Sequence, residues 1–185
     1  MDVKKAIENR RALRSLAPAE ISEELIHDLA QCASLAPSCY NHQPWRFVFV
    51  FDKKKLAEVF GHFIKGNNWA KKASMLVAVF TKKEFDCVVK KREYAFFDTG
   101  LATALLILRA TELNLVAHPI AGYDELEIKH ILNISENATL ITIVVIGKLA
   151  ESYDSSLSAS QIKNEKKRPE RFPLEQFVYL NEVKE

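Results

Sequence analysis

Three short runs constrain this chain more than any other feature: Arg46–Phe51 (RFVFVF), Met75–Phe80 (MLVAVF) and Leu140–Gly147 (LITIVVIG). Successive side chains of a strand point to opposite faces, so a β-branched and aromatic run that is apolar at both parities is stable only when both faces are covered. The three runs predict the centre of a sheet with a layer on either side. Helices supply the layers. Asp2 to about Asn9 places Val3, Ala6 and Ile7 at helical spacing, with the helix ending near Arg10, and Ser22 caps a second helix whose apolar stripe is Leu25, Ile26, Leu29 and Ala33, stopped by Pro37. Leu56, Val59, Phe60 and Phe63 mark a third, and Glu93–Leu113 a long helix, apolar almost all round and expected to be buried. Strands mixed with helices without strict βαβ alternation point to an α+β layered domain.

With 185 residues, 48% of them hydrophobic, the chain can bury one sizeable core, and residues 1–185 are expected to form one domain. Residues 150–167, rich in Ser, Lys and Glu, read as an extended or mobile connection, and 168–185 as a C-terminal extension whose Phe172, Leu174, Phe177, Val178 and Leu180 must dock on something. A net charge of +2 sets up no field for nucleic acid or membrane, and the dispersed lysine pairs lack an aromatic stacking platform, so nucleic-acid binding is not expected. No apolar run resembles a signal peptide or reaches bilayer length, which makes a cytoplasmic location the expectation. Cys32, Cys39 and Cys87 are odd in number and show no CxxC spacing; this argues against a disulfide framework and against a metal site, and fits a reducing compartment.

Two clusters carry chemistry. Arg10, Arg11 and Arg14 put three guanidiniums within five residues where a helix gives way to irregular chain; they suit phosphate or another polyanion, and equally a solvated charged face. Ala36–Trp45 (APSCYNHQPW) fixes its backbone with two prolines and offers polar groups from Ser38, Asn41 and Gln43, a loop able to grip a polar heterocycle or simply an ordinary turn. Neither matches a Walker loop, GxGxxG, HExxH or GxSxG.

Together, ENRRALRSL and the downstream APSCYNHQPWRFVFV resemble the N-terminal pattern of the nitroreductase family, in which an Arg-rich turn precedes an APSxxNxQPW segment. The likeness continues through Asn68–Trp69–Ala70, Asp98–Thr99–Gly100, HPIAGYD at 118–124, VVIGK and RFPLEQFV, and so covers nearly the whole chain in order. It implies a three-layer α+β fold, a central mixed or antiparallel sheet flanked by helices, in a homodimer with FMN at the subunit interface and the C-terminal tail docked on the partner. On this resemblance Arg10 and Arg11 lie near the FMN phosphate and ribityl chain, Arg14 near the pyrimidine edge, where it would stabilise reduced flavin, and Arg171 closes on the phosphate. Pro37, Ser38, Cys39 and Asn41 reach the flavin from the partner, and Ala121 and Gly122 offer backbone groups to its N5 and O4 side. No catalytic side chain is then required, since the cofactor carries the hydride chemistry.

The implied activity is hydride transfer from NADH or NADPH through FMN to a nitroaromatic, quinone or similar small electrophile, in a ping-pong scheme. An FMN-storage or sensing protein, or a dedicated flavin reaction such as reductive dehalogenation, is the alternative. The sequence departs from the family pattern at Ala12, where Ser is common, at Cys39, where a second Ser is common, and in a shortened stretch between the first two strand runs, where Asn67 and Asn68 are candidate substitutes. Tyr40 and His42 are candidate substrate contacts. His118, Trp45 and Trp69 read as structural, Asp98 as a satisfied buried polar group or a cap partner, and Cys39 as an inert small residue rather than a redox-sensitive thiol.

Overall fold

The doubly apolar runs become neighbouring strands because only a sheet interior covers both of their faces. The computed structural model of the protein describes residues 2–183. Its helices are α1 (Val3–Asn9), α2 (Glu23–Ser34), α3 (Lys53–Phe60), α4 (Ala95–Glu112), α5 (Glu125–Ile131) and α6 (Ala159–Lys166). The strands are β1 (Leu16–Ala17), β2 (Arg46–Val50), β3 (Met75–Thr81), β4 (Val88–Val89), β5 (Arg92–Glu93), β6 (Leu115–Ile120) and β7 (Thr139–Leu149), and single-turn 3-10 segments lie at Cys39–Asn41 and elsewhere, with a longer one at Lys65–Lys72.

The main sheet runs β6-β7-β3-β2 and every ladder in it is antiparallel. Lys148 on β7 faces Leu115 of β6 on one edge and Ala17 of β1 on the other, so β1 continues the β3 side of the sheet beyond Met75. Residues of one parity, Met75, Val77, Val79, Val144 and Ile146, pack with α2 and α4. The other parity, Leu76, Ala78, Ile143 and Val145, packs beneath Trp69, α3 and α5. This is the three-layer α+β arrangement that the strand runs demand. Each Val or Leu so enclosed stabilises by about 1.5–3 kcal/mol relative to exposure. β2 is an edge strand and is only half-buried over most of its length, less enclosed than its composition suggests.

Four expectations need correction. The long helix α4 buries Ala95, Thr99, Ala102, Leu106 and Ala110, yet leaves Phe96 and Phe97 on an open flank. The stretch 150–167 is not simply extended: Ser158 and Gln161 form a reciprocal capping box that starts α6, and Ile162 and Leu157 anchor it to the core. Pro119 and His118 hid β6, and a Lys90–Lys91 turn with both φ angles positive hid the β4–β5 hairpin, where glycine is the usual marker. Finally, Cys39 and Cys87 form a disulfide across 48 residues and Cys32 alone is free, so the inference from cysteine number and spacing fails, and with it that argument for a reducing compartment. Spacing rules find local motifs; this pair is brought together by tertiary structure. Among the described residues no helix is long and apolar enough to cross a membrane.

Candidate functional site

The Arg-rich turn leaves α1 and is held open by α6. Glu165 at the end of α6 is buried, and its carboxylate accepts the backbone N–H groups of Arg14 at 2.8 Å and Ser15 at 3.2 Å. Arg11 donates from its Nη2 to the carbonyls of Asn164 at 2.6 Å and Glu165 at 2.9 Å. Arg168 reaches back to the carbonyls of Glu8 and Arg10. These contacts to backbone carbonyls fix the chain without neutralising these guanidiniums, none of which forms an ion pair among the described residues. Arg10, Arg11, Arg14, Arg168 and Arg171 line a cleft of about 150 Å³ together with Ala12, Asn164 and Pro169. Burial first, then the nearby Arg168 and Arg171 charges, holds the Arg10 guanidinium below the ordinary arginine value. Glu165, the carboxylate bound to this turn, is spent on amide donors. Among the described residues the cleft's lining carries no carboxylate, and a phosphate monoester is the kind of anion its donors suit.

Arg14 borders the same cleft, its guanidinium 5.9 Å from the Trp69 ring centroid, and Trp69 in turn packs on His118 at 4.7 Å between centroids. His118 Nδ1 donates to the Leu13 carbonyl at 2.9 Å, which fixes the neutral tautomer with the proton on Nδ1. Burial pushes its pKa down to about 4. Next along the chain, Ala121 is exposed, while the Gly122 carbonyl accepts from Ile64 N at 3.1 Å and Asn67 Nδ2 at 3.0 Å. A Cβ on Gly122 would fall 2.4 Å from Ile64 Cδ1 and 2.8 Å from Asn67 Nδ2, so any larger residue here would force those side chains to move. Asn67 thus supports the turn. The expected backbone contacts from 121 and 122 reduce to groups other than the Gly122 carbonyl.

The APSCYNHQPW loop sits elsewhere. Tyr40, Asn41 and Gln43 all have positive φ, a conformation costly for a residue as bulky as Tyr, and the loop is over-determined in compensation. Ser38 Oγ accepts from Gln43 N at 3.0 Å, Cys39 N donates to the buried Asp98 at 2.6 Å, Thr81 Oγ1 donates to the Pro44 carbonyl at 2.9 Å, and the disulfide clamps Cys39 to Cys87. Pro37 and Asn41 are exposed, Tyr40 is 83% exposed, and His42 Nδ1 lies 3.4 Å from Asp86 Oδ1. Cys39 has no thiol to offer a ligand. Trp45 and Trp69 are core residues, as expected.

The arginines and the loop are not brought together within one chain. The arginine turn enters the sheet at Leu16, opposite Leu149, while the loop is tied to Thr81, opposite Thr139. From Met75 to Thr81 alone, β3 spans about 20 Å. Arg168, Glu165 and the Asp86–Asp98 pair escaped the sequence reading; the basic run ending at Arg168 was a usable signal for the first, and only the fold shows the others.

The family model described as "Nitroreductase family" matches residues 7–88 and 65–148. A protein of Archaeoglobus fulgidus provisionally named NADH dehydrogenase/NAD(P)H nitroreductase is 28% identical over 156 residues, which is 81% of this chain and 87% of that protein. A Bacillus subtilis protein provisionally named NAD(P)H nitroreductase is 25% identical over an alignment of 207 residues that spans 92% of this chain and 94% of its own. The fold superposes on a crystal structure described as an oxidoreductase containing FMN, with a TM-score of 0.84 at 26% identity over 100% of this chain and 94% of the other. A protein of Exiguobacterium sibiricum crystallised in complex with FMN shares the fold, with a TM-score of 0.80 at 20% identity over 98% of each chain. Read with the arginine turn, the strained loop and the glycine turn in family order, these matches establish that the chain is an oxidoreductase belonging to the nitroreductase family.

Proposed function

We propose that the protein is an NAD(P)H-dependent oxidoreductase that works with FMN held between two copies of the chain and reduces small electrophiles, nitroaromatics or quinones among them, in two successive half-reactions at one open face. The observation that carries this reading is the cleft of Arg10, Arg11, Arg14, Arg168 and Arg171, five guanidiniums whose charge a dianion would balance. The relatives named for NAD(P)H and the neighbour crystallised with FMN support the choice of anion and donor. Bound FMN would supply the two-electron chemistry. Arg10, Arg11 and Arg171 would hold the phosphate, Arg14 would place a positive charge where reduced flavin becomes anionic, and Ala121 and Gly122 would present backbone to the ring. Pro37, Ser38, Cys39 and Asn41 of the second copy would complete the pocket, with Tyr40 and His42 at its mouth facing the acceptor.

The need for that second copy follows from the separation of arginines and loop. An apolar surface suited to it runs along the open flank of α4: Val3, Ala6, Leu35, Leu105 and Leu108 border a cleft of about 280 Å³, and Phe97 is 63% exposed. The tail after Arg171 exposes Phe172 at 76% and Leu180 at 81%, which a partner subunit would cover.

Visible absorption of FMN-supplemented, desalted protein tests the reading. Retained flavin that bleaches anaerobically with NADH or NADPH is the expected result. Loss of flavin on desalting, or retained flavin inert to both donors, would sink it.

A further inference from the structure

The disulfide sits in a cluster that the function above does not use. One ligand-type atom each of Cys39, Cys87 and Asp86 lies within 4.8 Å of the others, so a carboxyl oxygen is beside both sulfurs. The Asp86 side chain is fully buried and its Oδ1 accepts from Cys87 N at 2.7 Å; Asp98, 2% exposed, accepts from Cys39 N at 2.6 Å. The two aspartates face each other. Burial and the hydrogen bond to Asp86 push the Asp98 pKa up, while the Cys39 amide opposes the shift. Asp86 Oδ2 is buried without a protein donor, the position that a proton shared between two carboxyls would satisfy. His42, whose side chain is 45% exposed, lies 3.4 Å from Asp86 Oδ1 and connects the pair with solvent. A purely structural cross-link has no use for a proton store beside its sulfurs; a cystine reduced to two thiols does, because its sulfurs take up two protons.

We infer that Cys39–Cys87 is a second redox centre, opened to two thiols by the electron pair of reduced flavin, with the Asp86–Asp98 pair as proton donor. The inference rests on the reading that this loop meets FMN. In the step the S–S bond breaks, two S–H bonds form, and flavin returns to its oxidised state. Two electrons and one proton come from the anionic reduced flavin; the second proton comes from the aspartate pair and is restored from solvent by way of His42. NAD(P)H is the ultimate reductant and no other co-reactant is required. The centre gives the protein room for a second electron pair beside the one on the flavin.

The test is an anaerobic titration of FMN-loaded protein with NADPH or NADH, whichever bleaches the flavin, followed by denaturation and thiol counting. Thiols are expected to rise from Cys32 alone to all three cysteines, with a second nicotinamide equivalent consumed per chain. Flavin-free protein given the same donor should release none. Cys87→Ser should consume a single equivalent, and Asp86→Asn should slow thiol appearance about tenfold or more while flavin bleaching keeps its rate. Complete bleaching at one equivalent with the thiol count unchanged overturns the inference and leaves the flavin reading standing. Unslowed thiol release in Asp86→Asn overturns the proton role of the pair. Protein that retains no flavin overturns both readings. The wild-type thiol count decides even if a variant fails to fold.

Discussion

Arg10 is a charge kept where its neighbours resist it, half-buried and facing Arg168 and Arg171. Such a site gains most from an anion, and Arg10→Ala should weaken FMN binding by about 1.5–3 kcal/mol, the size of a charge-assisted hydrogen bond, as read by equilibrium dialysis. Unchanged affinity would remove Arg10 from the site. His118 shows the opposite strategy, neutrality preserved by burial. Its folded pKa of about 4 lies below the ordinary 6.5, so the unfolded chain takes up a proton first as pH falls. Stability contributed by the neutral ring should be complete above about pH 6.5, decline between there and about pH 4, and level off below, for a loss of about 3 kcal/mol. Denaturant unfolding across that range should show the decline, and His118→Gln should lack this part of it. Both residues were legible as types in the sequence, Arg10 as a candidate anion contact and His118 as structural; which charges surround them was not.

At the level of elements, legibility tracked how much a segment's own composition decides. β3 and β7 were readable because enclosure on two faces leaves an unmistakable apolar run, and α2 because Ser22 and a 3.6-residue stripe agree. β6 was not, since its pairing with β7 compensates for a proline and a histidine that weaken any strand pattern. α6 was polar enough to pass for a connection, although Ser158 and Gln161 already spelled a capping box. That helix is what braces the arginine turn. Glu165→Ala should leave two amide donors without partners, at about 1–3 kcal/mol each, and should loosen residues 10–15. Faster amide exchange there, together with weaker FMN binding in a chain whose sheet remains protected, is the expected signature; unchanged exchange would show that the brace lies elsewhere. The loop at 37–43 was recognised as a motif, but its clamp was not, because the disulfide partner lies 48 residues away in a hairpin without a glycine turn.

For the whole molecule, the open flank of α4 and the exposed tail set the expectation of a two-fold assembly. Phe97→Glu, placing a charge on a surface meant to be covered, should shift sedimentation toward monomer and reduce retained flavin in step, whereas a stable dimer would show that contact is made by another face. The separation of the arginine turn from the Pro37–Gln43 loop along the sheet then has a genetic reading. A chain crippled at Arg10 and a chain crippled at Asn41 carry their lesions in different halves of each pocket. When the two are co-expressed, mixed dimers concentrate both lesions in one pocket and leave the other whole, so random pairing of two individually inactive alleles should restore about a quarter of the flavin sites. Two broken copies of this protein would complement each other.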